Sequence, residues 1–266
     1  VSPRRTGPGS LGQNFLVDPN IIDVIARLAA LSADDVVLEV GGGTGILTRR
    51  LVADTRFVQL IEIDRGQQDG LVDALGDRGE LHLADAVSFD LGSLDPVPTK
   101  MVANLPYSVA ATVVLKTVFE TAITDWVVMV QKEVGERFAA TPGSSLYGIP
   151  SVLAQLGCEV KVLRPVSRNV FRPVPNVDSV LLGLHRRGGG DAGFGHSITG
   201  VRSLVHDAFS HRRKAMARSV SLARGGSPEV RDAVRSAVVE LGFPADVRAE
   251  RLAPADFRAL AERLGR

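Results

Sequence analysis

The run from Asp35 to Gly45 constrains the fold of this chain more than any other segment. Asp35–Val40 is almost continuously apolar and reads as a strand buried on both faces. Gly41-Gly42-Gly43-Thr44-Gly45 follows at once, and a helix is expected from there to about Val52. In a strand, Gly-rich turn and helix, the missing Cβ atoms let backbone N–H groups approach a ligand at a helix N-terminus. Taken alone, the pattern fits NAD enzymes, other nucleotide binders or a plain tight turn. Apolar strands recur at 57–63, near 81–84, at 100–103 and at 126–130. Helices are expected between and around them, at about 20–31, up to about Leu75, from Ser108 onward, at 132–139 and at 146–156. A late strand pair is expected at 160–163 and 179–185. Such alternation predicts an α/β fold with a doubly wound, mostly parallel sheet.

In an open sheet of this kind, ligands bind outside the carboxyl ends of the strands. Acidic residues stand at several of those ends. Glu62 lies 21 residues after Gly41, the spacing at which a carboxylate binds a ribose diol. Glu39, ahead of the glycines, supports the loop or attracts a cationic ligand group. Asp85 follows the third apolar strand, where a carboxylate can meet an adenine amino group. Each acid taken singly is more often a solvated strand-end residue; together they indicate a nucleoside-containing ligand.

The strand at 100–103 ends in Asn104-Leu105-Pro106-Tyr107. Pro106 cannot continue a ladder and biases Leu105 toward extended backbone, so an amide and an aromatic ring are presented at the strand end. The ligand is then a nicotinamide cofactor or S-adenosylmethionine. No evident acid or base for hydride transfer is present, whereas this tetrapeptide supplies what methylation of an exocyclic amine requires. The Asn104 side-chain oxygen and the Leu105 carbonyl are placed to accept the two amine hydrogens and aim the nitrogen lone pair. Tyr107 is placed to stack on the base, and Asn104, Leu105, Pro106 and Tyr107 form the expected catalytic turn. The gain is in positioning and electrostatics, without a strong general base. A base held in a folded strand has to be unstacked first, which makes this a flipping enzyme.

The chain has 266 residues, 45% hydrophobic and 23% charged, enough for one large and one small globular domain. No apolar run approaches the roughly 18 residues of a membrane span, and Val1–Arg5 lacks a signal-peptide core, so a cytoplasmic protein is expected. One cysteine, Cys158, excludes an internal disulfide, and the five histidines show no ligand spacing, so no metal is expected. The net charge of +1 hides a split. Residues 196–266 carry 13 Lys and Arg against 8 Asp and Glu, and residues 1–195 carry 18 against 22. A basic segment of this kind suits a polyanion. The expected organisation is a basic tail at 1–10, a catalytic domain at 11–187, a Gly-rich linker at 188–195 and a helical domain at 196–266. The last has helices at about 198–209, 212–222, 228–241 and 254–264.

The residues that carry these signals resemble the ribosomal RNA adenine N6-dimethyltransferases. The resemblance covers about 10–265 and includes Gly12–Leu16, Glu39–Thr48, Glu62–Arg65, Asn104–Tyr107, Gln131–Phe138, Tyr147–Val152, Phe171–Ser179 and Phe209–Lys214. It implies a Rossmann-like class I methyltransferase fold, S-adenosylmethionine as donor, and two adjacent adenosines near the 3′ end of small-subunit ribosomal RNA as target. It further implies donor contacts at Asn14, Leu16, Gly41, Glu62, Asp85 and Asn104. Phe171 falls where a second aromatic faces the flipped base, although a core Phe before a Pro-rich turn fits the sequence nearly as well. Arg212, Arg213, Lys214 and Arg218 are candidates for phosphate contacts, against a solvated face as the bland reading. Arg4 and Arg5 are placed to add weak RNA affinity. Tyr147 is expected to be structural. The expected partner is an immature small subunit, engaged by a monomer.

The sequence departs from the family pattern in three places. Gly42 or Gly43 stands where Pro is frequent, Asn176 where Lys is usual, and Ser108 where Asn is common. None touches the expected chemistry. The alternatives are a large-subunit adenine methyltransferase of the antibiotic-resistance group, which Asn14, Leu105 and Tyr147-Gly148 disfavour, and a non-catalytic assembly factor. A nicotinamide oxidoreductase is the third.

Overall fold

The computed structural model describes residues 13–188 and 198–265. The expected basic tail, Gly12, nearly all of the expected linker and His196 lie outside them. In chain order the strands are β1 (Phe15–Leu16), β2 (Val36–Val40), β3 (Phe57–Glu62), β4 (Gly79–Leu83), β5 (Lys100–Asn104), β6 (Asp125–Gln131), β7 (Cys158–Val166), β8 (Phe171–Arg172) and β9 (Ser179–Arg186). The helices are α1 (Pro19–Leu28), α2 (Ile46–Asp54), α3 (Gln68–Leu75), α4 (Ala110–Glu120), α5 (Lys132–Ala139), α6 (Ile149–Gln155), α7 (Ile198–Ser210), α8 (Met216–Ala223), α9 (Pro228–Glu240) and α10 (Pro254–Arg263). The main sheet has the order β4-β3-β2-β5-β6-β9-β7. The pairings β2 with β3, β2 with β5, β3 with β4 and β5 with β6 are all parallel. The protein is thus α/β with a mostly parallel sheet, followed by a helical C-terminal region.

By internal packing the chain forms two units. One runs to Lys132 and includes Val162–Leu184; the other joins Glu133–Lys161 to the chain from His185 onward. In the first unit, all five residues of β2 are buried, and Val37, Leu38, Leu51, Val58, Leu60 and Leu71 are sealed from solvent. Such a strand has no polar face to turn outward, which is why it holds the middle of a sheet covered on both sides. Trp126 is buried on β6, and its Nε1 donates to Thr117 Oγ1 on α4 at 2.9 Å. Helix starts follow local chemistry. Asp18 Oδ1 accepts the Asn20 N–H at 2.8 Å ahead of α1, and Pro19 occupies the first turn, where its missing donor costs nothing.

The sequence reading placed 133–161 in the catalytic domain; by their packing these residues belong with the C-terminal helices. The reason is Tyr147. Its fully buried ring stands 6.3 Å from that of Phe209, edge-on, and Phe209 stacks 6.0 Å from Phe257. The Tyr147 hydroxyl donates to the Leu252 carbonyl at 2.9 Å. Ser151 adds a second tie within this unit, accepting the Gly148 N–H at 3.1 Å and donating to the Arg137 carbonyl at 2.5 Å. Two other expectations shift. The helix expected from 212 starts at Met216, because residues 211–215 form a turn in which Lys214 N–H donates to His211 O. The segment 146–148 is likewise non-helical, with α6 beginning at Ile149. The short antiparallel pair β1–β8, with Phe15 opposite Arg172 and Leu16 opposite Phe171, was not read from the sequence. Two-residue strands carry no periodicity to detect.

Tyr147→Phe removes the hydroxyl and leaves the Leu252 carbonyl without that donor. We expect a loss of about 1–2 kcal/mol in urea denaturation followed by circular dichroism. An unchanged midpoint would show that this tie contributes nothing net.

Candidate active site

The carboxyl ends of β2, β3, β4 and β5 lie along one edge because the four strands pair in parallel. The strand order turns back at the β2–β5 pair, which is where a crevice opens in such sheets. A cleft of about 400 Å³ lies there. Its wall brings together Asn14, Leu16, Gly41, Glu62, Asp85, Asn104, Leu105, Pro106 and Tyr107, with Glu39 and Ser108 beside them. A second chamber of about 590 Å³ shares Gln13, Asn14, Phe15 and Tyr107 with the first and continues along Gln131 and Pro173–Val177.

The glycine loop is built to leave room. Gly41 adopts φ +81°, and a Cβ there would stand 3.1 Å from Pro106 Cδ; Gly43 adopts φ +54°, and its Cβ would meet Phe15 at 3.0 Å. A side chain at either place would strain the backbone and fill the cradle. Glu62, buried at the end of β3, holds the loop from the side. Its Oε2 accepts the Gly43 N–H at 3.2 Å and its Oε1 the Asp64 N–H at 2.8 Å. Gly41 N–H donates to the Ile61 carbonyl at 2.9 Å. Asp64 in turn accepts from Gln13 Nε2 at 3.0 Å and from Gly66 N–H, and these bonds hold its carboxyl below the usual range.

Three polar atoms in this region are buried without a hydrogen-bond partner among the described residues: Glu39 Oε2, Thr48 Oγ1 and Asn104 Oδ1. An unpaired buried acceptor is costly, so its retention marks a place where a ligand supplies the donor. Glu39 is 1% exposed. Burial pushes its carboxyl up to about 8; the Thr48 hydroxyl pulls the other way, and the charge of Glu62 adds to the rise. The Asn104 amide is fixed by strand β5, and the backbone leaves the sheet through Leu105 N–H to Met129 O at 3.1 Å and Val109 N–H to Pro106 O at 3.1 Å. Tyr107 is half-buried, and its hydroxyl shares a 2.7 Å hydrogen bond with Ser179 Oγ. Burial raises its phenol above the ordinary value. Ser179 and Gln13 stand within motifs that carry the family resemblance, but only the fold shows what each side chain holds.

Phe171 requires a correction as the second base-facing aromatic. Its ring is fully buried in the apolar core with Leu16 and Leu181, and it lines neither cavity. Pairing of β8 with β1 turns it inward, and Pro173–Val177 reach the chamber in its place. Arg212 also differs from a free phosphate contact. Its Nε is 3.1 Å from Glu250 Oε2 and its Nη2 donates to the Ser145 carbonyl at 2.6 Å. Arg213, Lys214 and Arg218 are exposed. No group of histidine, cysteine or acidic residues among those described is arranged to hold a metal, and no described helix is long and apolar enough to cross a membrane.

Comparison with known proteins points the same way. A family model described as ribosomal RNA adenine dimethylase matches residues 6–262. The ribosomal RNA small subunit methyltransferase A of Rubrobacter xylanophilus is 39% identical, over 96% of this chain and 94% of its own. The protein of that name from Thermobifida fusca is also 39% identical, over 98% and 90%. Among solved structures, a dimethyladenosine transferase from Plasmodium falciparum superposes with a TM-score of 0.77 at 26% identity, covering 92% of this chain and 95% of that one. The 23S rRNA methyltransferase ErmE gives 0.69 at 28% identity, covering 95% and 100%.

The buried carboxyl of Glu39 makes a testable contribution to stability. Its folded-state value of about 8 exceeds its ordinary 4.5, so the folded protein holds this proton more tightly than the unfolded chain. The associated stabilisation is complete below 4.5 and is lost as pH rises through 8. Glu39→Gln removes this dependence. The ligand-free variant should match wild type near pH 4 and exceed it near pH 9 by up to roughly 4 kcal/mol, read as a difference in thermal melts. A variant no more stable at pH 9 would show that Glu39 is ionised in the fold without cost.

Proposed function

The chain belongs to the ribosomal RNA adenine dimethylase family, and we propose that it transfers methyl groups from S-adenosylmethionine to the N6 amines of two adjacent adenosines near the 3′ end of small-subunit ribosomal RNA. The observation that carries this reading is the buried, unpartnered Asn104 Oδ1 at the end of β5, beside a glycine cradle. The small-subunit target is supported by the names of relatives at 36–40% identity. We place the reaction in the cytoplasm, carried out by a monomer on an immature small subunit, without a metal.

The donor fits the residues present. The glycine loop leaves room for its nucleoside part, which Glu62 and Asp85 would hold, and a cationic group bound beside Glu39 would favour that residue's charged form. When bound, it supplies an electrophilic methyl group on a sulfonium. The remaining work falls to the chain. Tyr107, steadied by Ser179, offers a face to the flipped adenine. Asn104 Oδ1 and the Leu105 carbonyl accept the two amine hydrogens, draw the nitrogen toward tetrahedral geometry and direct its lone pair. The amine becomes strongly acidic as the new bond forms, so the proton leaves to solvent without a dedicated base. Acceptors fixed before the reaction stabilise developing positive charge without reorganising.

Asn104→Ala should lower turnover by about a hundredfold or more while leaving the circular dichroism spectrum intact. Wild-type turnover in this variant would sink the mechanism. Labelled-methyl transfer to unmodified small subunits and, separately, to large-subunit RNA settles the substrate. Dimethyladenosine only in the small subunit fits the proposal, and label only in large-subunit RNA would move the chain to the branch that ErmE represents. Donor binding with no transfer to either would leave an assembly factor.

RNA affinity should rest in part on the exposed cations of the C-terminal unit. Replacing Arg213, Lys214 and Arg218 together by Gln should weaken RNA binding and flatten its logarithmic salt dependence by about 2, with donor affinity unchanged. An unaltered slope would make them a solvated face.

A further inference from the structure

Lys116 lies on α4, the helix that opens just after the Asn104–Tyr107 turn, and its side chain is only 12% exposed. Its ammonium group donates to three backbone carbonyls of one loop: Ala86 at 3.3 Å, Val87 at 2.8 Å and Phe89 at 2.5 Å. Glu120 Oε2, one helical turn on, stands 3.9 Å away. Burying most of an ammonium group is costly unless its donors are used, and here three are spent on a single stretch of chain.

That stretch carries Asp85. It leaves β4 with Ala84 N–H bonded to the Glu62 carbonyl at 2.9 Å, then turns so that Ser88 and Phe89 N–H groups donate to the Asp85 carbonyl. Asp85 Oδ1 is turned back to accept the Val87 N–H at 2.9 Å, which fixes the carboxyl group of this cleft-wall residue. Ala84, Asp85 and Ala86 all line the cleft, as does Val109 at the start of α4. The carbonyls that Lys116 holds therefore belong to cleft-wall residue Ala86 and to the residues that set the Asp85 turn.

We propose that Lys116 is a positioning residue that lets the cleft read the adenine amino group of its donor, by holding the Asp85 loop from behind through three carbonyls. The inference rests on Asp85 as the adenine contact. A carboxylate oxygen accepts from an amino group but repels a carbonyl oxygen at the same ring position, so a fixed Asp85 distinguishes adenine from hypoxanthine. If the loop relaxes, the carboxylate rotates away from either base and the distinction fades. A lysine that merely stabilised the fold would not alter this ratio.

The test is calorimetric binding of S-adenosylhomocysteine and S-inosylhomocysteine to the whole protein. Wild type should prefer the adenine compound by about tenfold or more. Lys116→Met should bring the two affinities to within about threefold of each other, and Lys116→Arg should restore most of the preference. Asp85→Asn provides the control for the underlying reading. If Asp85→Asn abolishes the preference and Lys116→Met retains it, Lys116 has no positioning role. If wild type shows no preference, or Asp85→Asn keeps it, Asp85 does not read the base, and the proposal falls with it. Should Lys116→Met fail to fold, Lys116→Leu takes its place, since it too keeps no donor for the three carbonyls; an unchanged preference there overturns the proposal equally.

Discussion

Parallel pairing of β2 with both β3 and β5 is the constraint on which the rest of the site depends. It brings Gly41, Glu62 and Asn104 to one edge although they are far apart in sequence. Because β2 is buried from end to end, its register cannot slip without exposing apolar side chains, so the edge is fixed by the core. The glycine loop then inherits its position. Gly41 N–H is bonded to the end of β3, and Glu62 reaches back to Gly43. A binding cradle is thereby made from backbone groups whose placement was decided by hydrophobic burial.

Much of this was legible because it rests on local patterns. An unbroken apolar run names a central strand, a cluster of glycines names a close approach, and a proline after Asn104-Leu105 names the end of a strand. What was not legible depends on contacts between distant segments. Phe171 is aromatic and stands before a Pro-rich turn, which fits a base-stacking ring or a core ring equally; only its pairing through β8 with the two-residue β1 decides for the core. Arg212 sits in a basic run, yet Glu250 and the Ser145 carbonyl claim its guanidinium. Residues 133–161 resemble a continuation of the catalytic domain until Tyr147 is seen bonded to Leu252, 105 positions away. Ser179 gave no signal because a serine that orients a tyrosine has no spacing rule.

The cleft also departs from the rule that buried polar atoms find partners. Elsewhere in the first unit, Trp126 and Thr117 complete their hydrogen bonds. At the cleft, Glu39 and Asn104 each keep an oxygen unpaired, and Glu39 gives up its charge through burial beside Glu62. These defects oppose the stability of the empty protein, and the Asn104 oxygen is an acceptor suited to a ligand that brings N–H groups.

Rigidity is distributed accordingly. Tyr107 is tied to Ser179, Gln13 to Asp64, Glu62 to the glycine loop and Lys116 to the Asp85 loop, so each wall of the cleft is held by a residue that does not itself face the reacting atoms. Two of these four ties, through Glu62 and Lys116, end on backbone atoms. A side chain bonded to backbone constrains the path of the chain irrespective of what occupies the neighbouring positions.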